Sequence, residues 1–557
     1  MKIILPKASK GLKFDLVFTV DLNDFDVEML LPSLFHLVRT KGRRVGKPVD
    51  PELYQEYLAR LAESDTVLGF GAHNTRGLLD RWIRTSVVKI GGRGRSHTVG
   101  EQMMYLFPTT MLTYKAGLPK EITRLRGVHN FIYAVLLSQQ NDPVKLDHLF
   151  REALGTGLFL DDGEPFNGRY DGSSDMDLET MLSIRFLDQL RAAGVGPISP
   201  EVSISRNAPR LQKQTAYFAA DILSTLKAYK ADLPTTVLTR FLLTLINCHL
   251  FVYSLRLMNW VIAISNGTET VRRHEIFVDC TGQRGSYCDE LARSCLERDL
   301  EMLERYARSS LRLRTLDRFL SLAPQLRVGL PDRETDSGGF LAAITRLVAE
   351  GRIEAKADQE FEQICAENGL NASEESETTE TTEEVSYLSK LRDSTSLEPF
   401  DRLVQVLFEA QRKSGLKNLT GWFNSVAGLN RSYGLATGNT RGRWRVARYS
   451  LSNELLSTWV HAALADFGRA HGESIVPSAR LPLRELLKWL EARYGVLINR
   501  PPDFDTSAEA VAAAHQNLES FKVRLRQIGV FQNLSDDFDA QYIQRPASRA
   551  AEVRTNA

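Results

Sequence analysis

VLTRFLLTLINCHLFVYSLRLMNWVIAI, residues 237–264, is the most apolar stretch of the chain. A helix that spans a bilayer needs about 20 predominantly apolar residues with almost no charge. Here Arg240, Asn247, His249, Arg256 and Asn259 interrupt the run, and a central arginine is costly in lipid. The stretch therefore reads as the buried core helix of a helical protein. A second long helix is expected just before it, within 210–236. After it, RHEIFVDCTGQ (273–283) has the continuous apolar centre of a short buried strand that ends at a turn. DELARSCLERDLEMLERYARSSLRLRTLDRFLSL (289–322) then carries opposite charges at i, i+3 and i+4, the pattern of a long amphipathic helix with a solvated face.

The same reading extends to both ends. In LKFDLVF (12–18), Phe14, Leu16 and Phe18 alternate, which predicts a short strand, with helix from about Val27. Asp50 and Pro51 open a helix whose apolar face is Leu53, Tyr57, Leu58 and Leu61. Residues 101–190 read as mostly helical, with Leu125, Val128, Phe131, Ile132, Val135 and Leu136 at helical spacing. Beyond residue 450, Ser452 is placed to cap a helix bearing Leu455, Leu456, Trp459, Val460 and Leu464. LPLRELLKWLEARYGVLI (481–498) gives another helix, ended by Gly495, and a third packs through Leu518, Phe521, Leu525 and Ile528. A terminal strand or arm follows. The expected fold is mainly α and multidomain, with few short strands and a C-terminal winged-helix-like module.

At 557 residues the chain has room for several domains. The expected division is a helical domain over 1–200, a central helical domain over 201–366 and an acidic flexible tether over 367–390. A basic winged-helix-like module over 391–545 and a disordered tail over 546–557 complete it. The tether rests on NASEESETTETTEEVS (371–386), which has six glutamates, no positive charge and too little apolar surface to offset its ordering entropy. Five cysteines, odd in number and without a C-x-x-C pair, argue against a disulfide scaffold and for a reducing compartment. The opening MKIILPKASKGLKFDLVF has no continuous apolar core of a secretory leader. The expected location is cytoplasmic.

Seventy Lys and Arg against 69 Asp and Glu leave a formal charge of +1, so an anionic partner must meet a local patch. The strongest patch is QRKSGLKNLTGWFNSVAGLNRSYGLATGNTRGRWRVARYS (411–450), which has eight cations and no acid. Trp422, Phe423, Tyr433, Trp444 and Tyr449 are interleaved with them. Arginine and lysine neutralise phosphates and release counterions, while aromatic rings stack on bases or pack a core. The candidate nucleic-acid contacts are Lys417, Arg431, Arg441, Arg443, Trp444, Arg445 and Arg448. Arg93 and Arg95 of the basic loop GGRGR (91–95) join them. That loop lacks the Lys-Ser/Thr ending of a P-loop, and no strong strand is read before it.

Catalytic chemistry leaves no comparable mark. The sequence contains no G-x-S-x-G, H-E-x-x-H, Walker or dinucleotide fingerprint, and no cofactor or small-molecule substrate is indicated. Asp171, Ser173, Asp175 and Asp177 alternate as in a calcium loop, but Met176 replaces the turn glycine and Leu182 the bidentate glutamate.

One resemblance adds to this. LPLRELLKWLEARYGVLINRPP (481–502) and NLESFKVRLRQIGVFQNLSDDFDAQYI (517–543) resemble the C-terminal region of uncharacterised subunits of bacterial phage-defence operons. The resemblance implies a subunit of a multi-protein, DNA-directed defence assembly and carries no functional residue. The expectation is thus a non-catalytic DNA-binding or assembly subunit, with DNA and other protein subunits as partners and no membrane. A protein scaffold without nucleic-acid contact, and a divergent metal-dependent nuclease using Asp279 or Asp175, remain as alternatives.

Overall fold

In the computed structural model the described residues are 3–25, 27, 30–42, 54–63, 68–86, 88–92, 102–106, 111, 125–160, 168–172, 180–181, 183–184, 210–268, 273–370, 383–440, 446–531 and 541–545. Among them the chain is mainly helical, as its apolar periodicity requires. The helices are α1 (Leu30–Arg39), α2 (Tyr54–Ala62), α3 (His73–Ser86), α4 (Val128–Gln140), α5 (Pro143–Leu154), α6 (Gln212–Tyr229), α7 (Thr235–Ser265) and α8 (Tyr287–Leu322). They continue with α9 (Ser337–Ala349), α10 (Glu354–Glu367), α11 (Glu383–Arg392), α12 (Pro399–Val426), α13 (Asn453–Asp466), α14 (Leu483–Tyr494) and α15 (Ala508–Gln527).

The strands are short and pair two by two. Antiparallel pairs join β1 (Val88–Gly92) to β2 (Gln102–Leu106), and β3 (Leu158–Leu160) to β4 (Gly168–Tyr170). β5 (Ile276–Phe277) lies in sequence before β6 (Ala436–Thr437) and β7 (Arg448–Tyr449), which pair with each other. β8 (Arg469–His471) pairs with β9 (Ser474–Val476), and β10 (Arg480–Pro482) with the terminal β12 (Tyr542–Gln544). β11 (Val496–Leu497) pairs in parallel with β5.

The apolar run folds as α7, and 94% of its most apolar window is buried inside the protein. It is long and apolar enough to cross a membrane by length and composition, but its side chains are spent on a core. Each fully buried Leu, Ile or Phe there contributes about 1.5–3 kcal/mol. Local signals set the helix ends. Asp142 accepts from the Val144 amide at 2.8 Å to start α5. Ser452 Oγ accepts from Leu455 to start α13, Ser507 Oγ from Ala510 to start α15, and Gly495 stops α14 at φ 72°.

Two expectations change. Residues 14–18 form no strand: the Val17 and Phe18 amides both bond to the Phe14 carbonyl, closing a tight turn. Leu16, Val17 and Phe18 are consecutively buried, a pattern that a two-sided strand with one wet face does not satisfy. A strand does lead into GGRGR: β1 includes Gly91 and Gly92, paired with Met103 and Gln102. Its two glycines hid it, since glycine is depleted in strands.

The chain divides into two compact units, each discontinuous in sequence. The first contains residues 1–24, 253–274 and 294–423. Its core gathers Phe18 against Tyr253, with ring centroids 5.5 Å apart, and edge-on to Trp422 at 6.2 Å. The Trp422 indole donates to Ser254 Oγ at 3.2 Å.

The second unit contains residues 25–252, 275–293 and 424–557. Inside it α13 packs on α6, where Tyr229 donates its hydroxyl to the His461 carbonyl at 3.1 Å. A buried polar cluster ties α6, α7 and α14 together. Asp221 lies 2.9 Å from His249 Nε2 and accepts from the Tyr494 hydroxyl at 3.1 Å. Arg493 reaches both Asp221, at 3.3 Å, and Asp466, at 2.6 Å. Burial pulls the Arg493 pKa down, but the two carboxylates outweigh it and raise it. Burial and Asp221 push the Tyr494 hydroxyl well above its ordinary value. The cluster fixes helix positions, because a buried group of this kind holds only if its partners stay in place.

Candidate nucleic-acid interface

Part of the basic stretch belongs to the core. Trp422, Phe423 and Tyr449 are buried, so these rings pack the protein. Lys417 is exposed on α12, in the first unit. Everything from Asn424 onward belongs to the second unit.

After α12 the backbone reverses within a few residues. Gly428 takes φ 57°, and Gly434 lies so close that a Cβ on it would stand 1.8 Å from the Gly428 carbonyl oxygen. Asn430, at φ 60°, then organises the turn from its side chain. Its amide donates to the Gly438 carbonyl at 2.9 Å, and its oxygen accepts from the Gly438 amide at 2.8 Å and from Thr437 Oγ1 at 3.2 Å. Asparagine tolerates the left-handed region and bonds its own neighbourhood, which suits it to this position. Arg431 sits exposed on the same turn.

From there β6 leads into the connection and β7 returns from it, antiparallel to β6. The pair is closed by the Val446 amide on the Asn439 carbonyl, at 3.2 Å, and Thr440 Oγ1 is held by Asn424 Oδ1 at 2.9 Å. Arg441, Arg443, Trp444 and Arg445 fall between these tied ends and lie outside the described residues. So do Arg93 and Arg95, in the connection between β1 and β2. The triplet Arg-Gly-Arg thus occurs twice, at 93–95 and 441–443, each time on the link between two antiparallel strands of the second unit.

Arg448 has a different position. It stands one residue beyond the buried Ala447, and its Nε lies 3.1 Å from Asp289 Oδ1 and 3.7 Å from Asp279 Oδ2. Both carboxylates are buried. Asp279 Oδ1 accepts from the Thr281 amide at 2.8 Å, from Thr281 Oγ1 at 2.7 Å and from the Gly282 amide at 3.3 Å. Asp289 Oδ2 accepts from Gly285 and Arg293. Asp279, an acid a nuclease could use, here organises a turn and holds an arginine. Asp175 lies outside the described residues. Among the described residues no group of three or more His, Cys, Asp or Glu side chains is arranged to hold a metal ion.

The base of this hairpin is strongly fixed. The Asp279 amide bonds to the Tyr449 carbonyl at 3.1 Å, and the Val278 amide to the Leu497 carbonyl at 3.2 Å, so the 276–279 segment stands between β7 and β11. Two side chains of α15 close its end. Asn517 donates to the Val278 and Ile498 carbonyls and accepts from the Cys280 amide. Arg524 donates to the Cys280 and Leu451 carbonyls at 2.7 and 2.8 Å. Burial raises the Cys288 thiol to about 11, and it donates to the Ala513 carbonyl. None of these supporting side chains stands out in the sequence, because each partner is far away along the chain. The turn around Asn430 had a local signal in its Gly, Asn and Ser content.

No curated protein and no solved structure matches the chain. One family profile does, described as methylation-associated defense system protein MAD7, and it covers residues 7–546. That span includes nearly all of both compact units and both arginine-bearing connections. The chain belongs to the family of methylation-associated defense system protein MAD7.

Proposed function

We propose that the protein is a non-catalytic, DNA-contacting subunit of a cytoplasmic anti-phage defence assembly. Its contacts are Arg441, Arg443, Trp444 and Arg445 on one strand connection, Arg93 and Arg95 on another, and Arg431 beside the first. The observation that carries this reading is the anchoring of the Asn439–Val446 link. Its two ends are tied to a buried base, while the intervening residues are three arginines, a tryptophan, a threonine and a glycine. Fixed ends limit the ordering entropy that such a link gives up when it meets a phosphate backbone. Membership of a defence-system family supports the biological setting. The five cysteines, odd in number and without a C-x-x-C pair, support a reducing compartment. In this reading α13–α15 act as a winged-helix-like module, with the exposed β8–β9 hairpin as its wing.

A gel-shift series over salt, with and without Mg²⁺, tests the proposal. DNA retention should fall steeply with salt and should collapse when Arg441, Arg443 and Arg445 are replaced together by alanine. Retention unchanged in that variant would overturn the assignment of the contact. Mg²⁺-dependent cleavage that disappears on Asp279→Asn would overturn the non-catalytic reading.

A further inference from the structure

The first unit contains a cleft of its own. Its one wall is the N-terminal segment, residues 3–22, and its other is the face of α12 formed by Ala410, Gln411, Ser414, Gly415 and Asn418. The cleft has a volume of about 520 Å³, within the range of sites that hold a ligand or an anchoring side chain. Ile3, Leu5, Leu12 and Phe14 make its floor apolar.

The walls are pinned and do not depend on an occupant for their shape. Asn368 brackets Ile4, accepting from its amide at 2.8 Å and donating to its carbonyl at 3.0 Å. Ser9 Oγ donates to Glu360 at 2.9 Å, and Arg314 donates to the Lys10 carbonyl at 2.8 Å and to that of Gly11. Gln411 spans the join, donating to the Ser9 carbonyl at 3.1 Å and accepting from the Gly11 amide. Gly415 lets Leu12 lie directly on the helix, since a Cβ there would stand 2.5 Å from Leu12 Cδ1.

The rim is cationic on balance. Lys10 and Lys13 line the cleft together with one acid, Asp21, and Lys417 is exposed next to Asn418 on α12. Neither Lys10 nor Lys417 has a carboxylate partner among the described residues. Lys13 meets only the exposed Asp15, at 3.0 Å, a pair that exchanges at little cost. From Ala410 to Phe423 α12 carries no acid.

An apolar floor inside a cationic rim selects among anions. Nucleic acid is held through its phosphates, and a base pushed into the cleft would leave its polar edge facing alkyl groups. Gln411, the one long amide in the wall, is already bonded at both ends. A peptide that places a large apolar side chain between carboxylates satisfies both floor and rim. We propose that this cleft docks an acidic segment of a partner protein, which seats a leucine or an aromatic side chain on Leu12 and Phe14 and sets its carboxylates against Lys10, Lys13 and Lys417.

A yeast-displayed library of random peptides, selected on the full-length protein, tests this. The enriched peptides should combine Asp or Glu with Leu, Phe or Trp. A synthetic peptide made from them should bind about 10-fold more weakly to a Lys10→Glu, Lys417→Glu double variant, a loss of roughly 1.4 kcal/mol. Both positions are exposed and leave the fold intact, as circular dichroism should confirm. Ser414→Trp, at an exposed position on the same wall, should block binding by filling the mouth. Binding unchanged in both variants would overturn the proposal. So would enrichment of peptides without acids, or displacement of the peptide by single-stranded DNA. So would equal binding of the chain's own 371–386 sequence, NASEESETTETTEEVS, which has charge but no large apolar residue. The Arg441, Arg443 and Arg445 substitutions should leave peptide binding unchanged, so this inference and the DNA-contact reading fail separately.

Discussion

Asn517 shows how much of the second unit depends on one side chain. It is wholly buried and uses both its donors and its acceptor, on Val278, Ile498 and Cys280. Replacement by leucine keeps the branched shape but leaves the Ile498 carbonyl and the Cys280 amide without the Asn517 partner, and the Val278 carbonyl with only the weak Cys280 thiol at 3.6 Å, each lost bond worth about 1–3 kcal/mol. Asn517→Leu should therefore lower unfolding free energy by about 3 kcal/mol or more, read as a shift in urea midpoint at unchanged slope. His36 makes a different kind of contribution. Burial in α1 holds its pKa at about 4, below the ordinary 6.5. The unfolded chain takes up this proton as pH falls through 6.5, and the folded chain refuses it until about 4. Stability from the neutral buried ring is thus complete above 6.5 and declines progressively down to about 4, by about 3 kcal/mol in all. Urea midpoints measured across that window should fall less steeply for His36→Gln than for the native chain. Burial also lowers the His461 pKa, so some acid sensitivity should persist in the variant.

The helices were legible because their causes are local. Ser452 and Gly495 mark an α13 start and an α14 stop in the sequence itself, and the apolar spacing between them supplies the buried face. The strands were legible at Ile276–Phe277, where a continuous apolar run meets a turn, and in the terminal arm, where Tyr542–Gln544 forms β12. A two-residue strand has no period to detect, and the β5–β11 pairing joins segments about 220 residues apart. The β6–β7 hairpin depends instead on close backbone approach. At Gly434 a Cβ would collide with the Gly428 carbonyl, whereas at Gly472, in the β8–β9 turn, it would meet nothing within 4 Å. Gly472 has φ 60°, so Gly472→Ala should cost only the left-handed penalty of about 1–2 kcal/mol. Gly434→Ala requires backbone displacement and should cost about 3 kcal/mol or more. Equal urea midpoints for the two variants would show that the Gly428–Gly434 approach does not hold the hairpin base.

Over the whole molecule, 70 cations and 69 anions cancel almost completely, so its charge count says nothing about binding and the placement of each charge says nearly everything. The basic character of residues 411–450 was visible in the sequence, but its division was not. Nothing near Arg448 announces that Asp279 and Asp289, some 160 residues away, will take its charge. This division predicts two separable phenotypes. Arg448→Ala leaves the buried Asp279 without its cation and Asp289 with Arg293 alone, and should cost about 3–5 kcal/mol of stability. At temperatures where the variant stays folded, the dependence of DNA affinity on salt should keep its native slope. Joint replacement of Arg441, Arg443 and Arg445 by alanine should do the reverse. The unfolding midpoint should stay within about 0.5 kcal/mol of native, while the slope of log affinity against log salt should flatten by up to about 3 units, near 0.9 for each phosphate that is no longer neutralised. A slope that flattens in Arg448→Ala as much as in the triple variant would mean that the hairpin base also touches DNA, and that Arg448 and the arginines of the link act together.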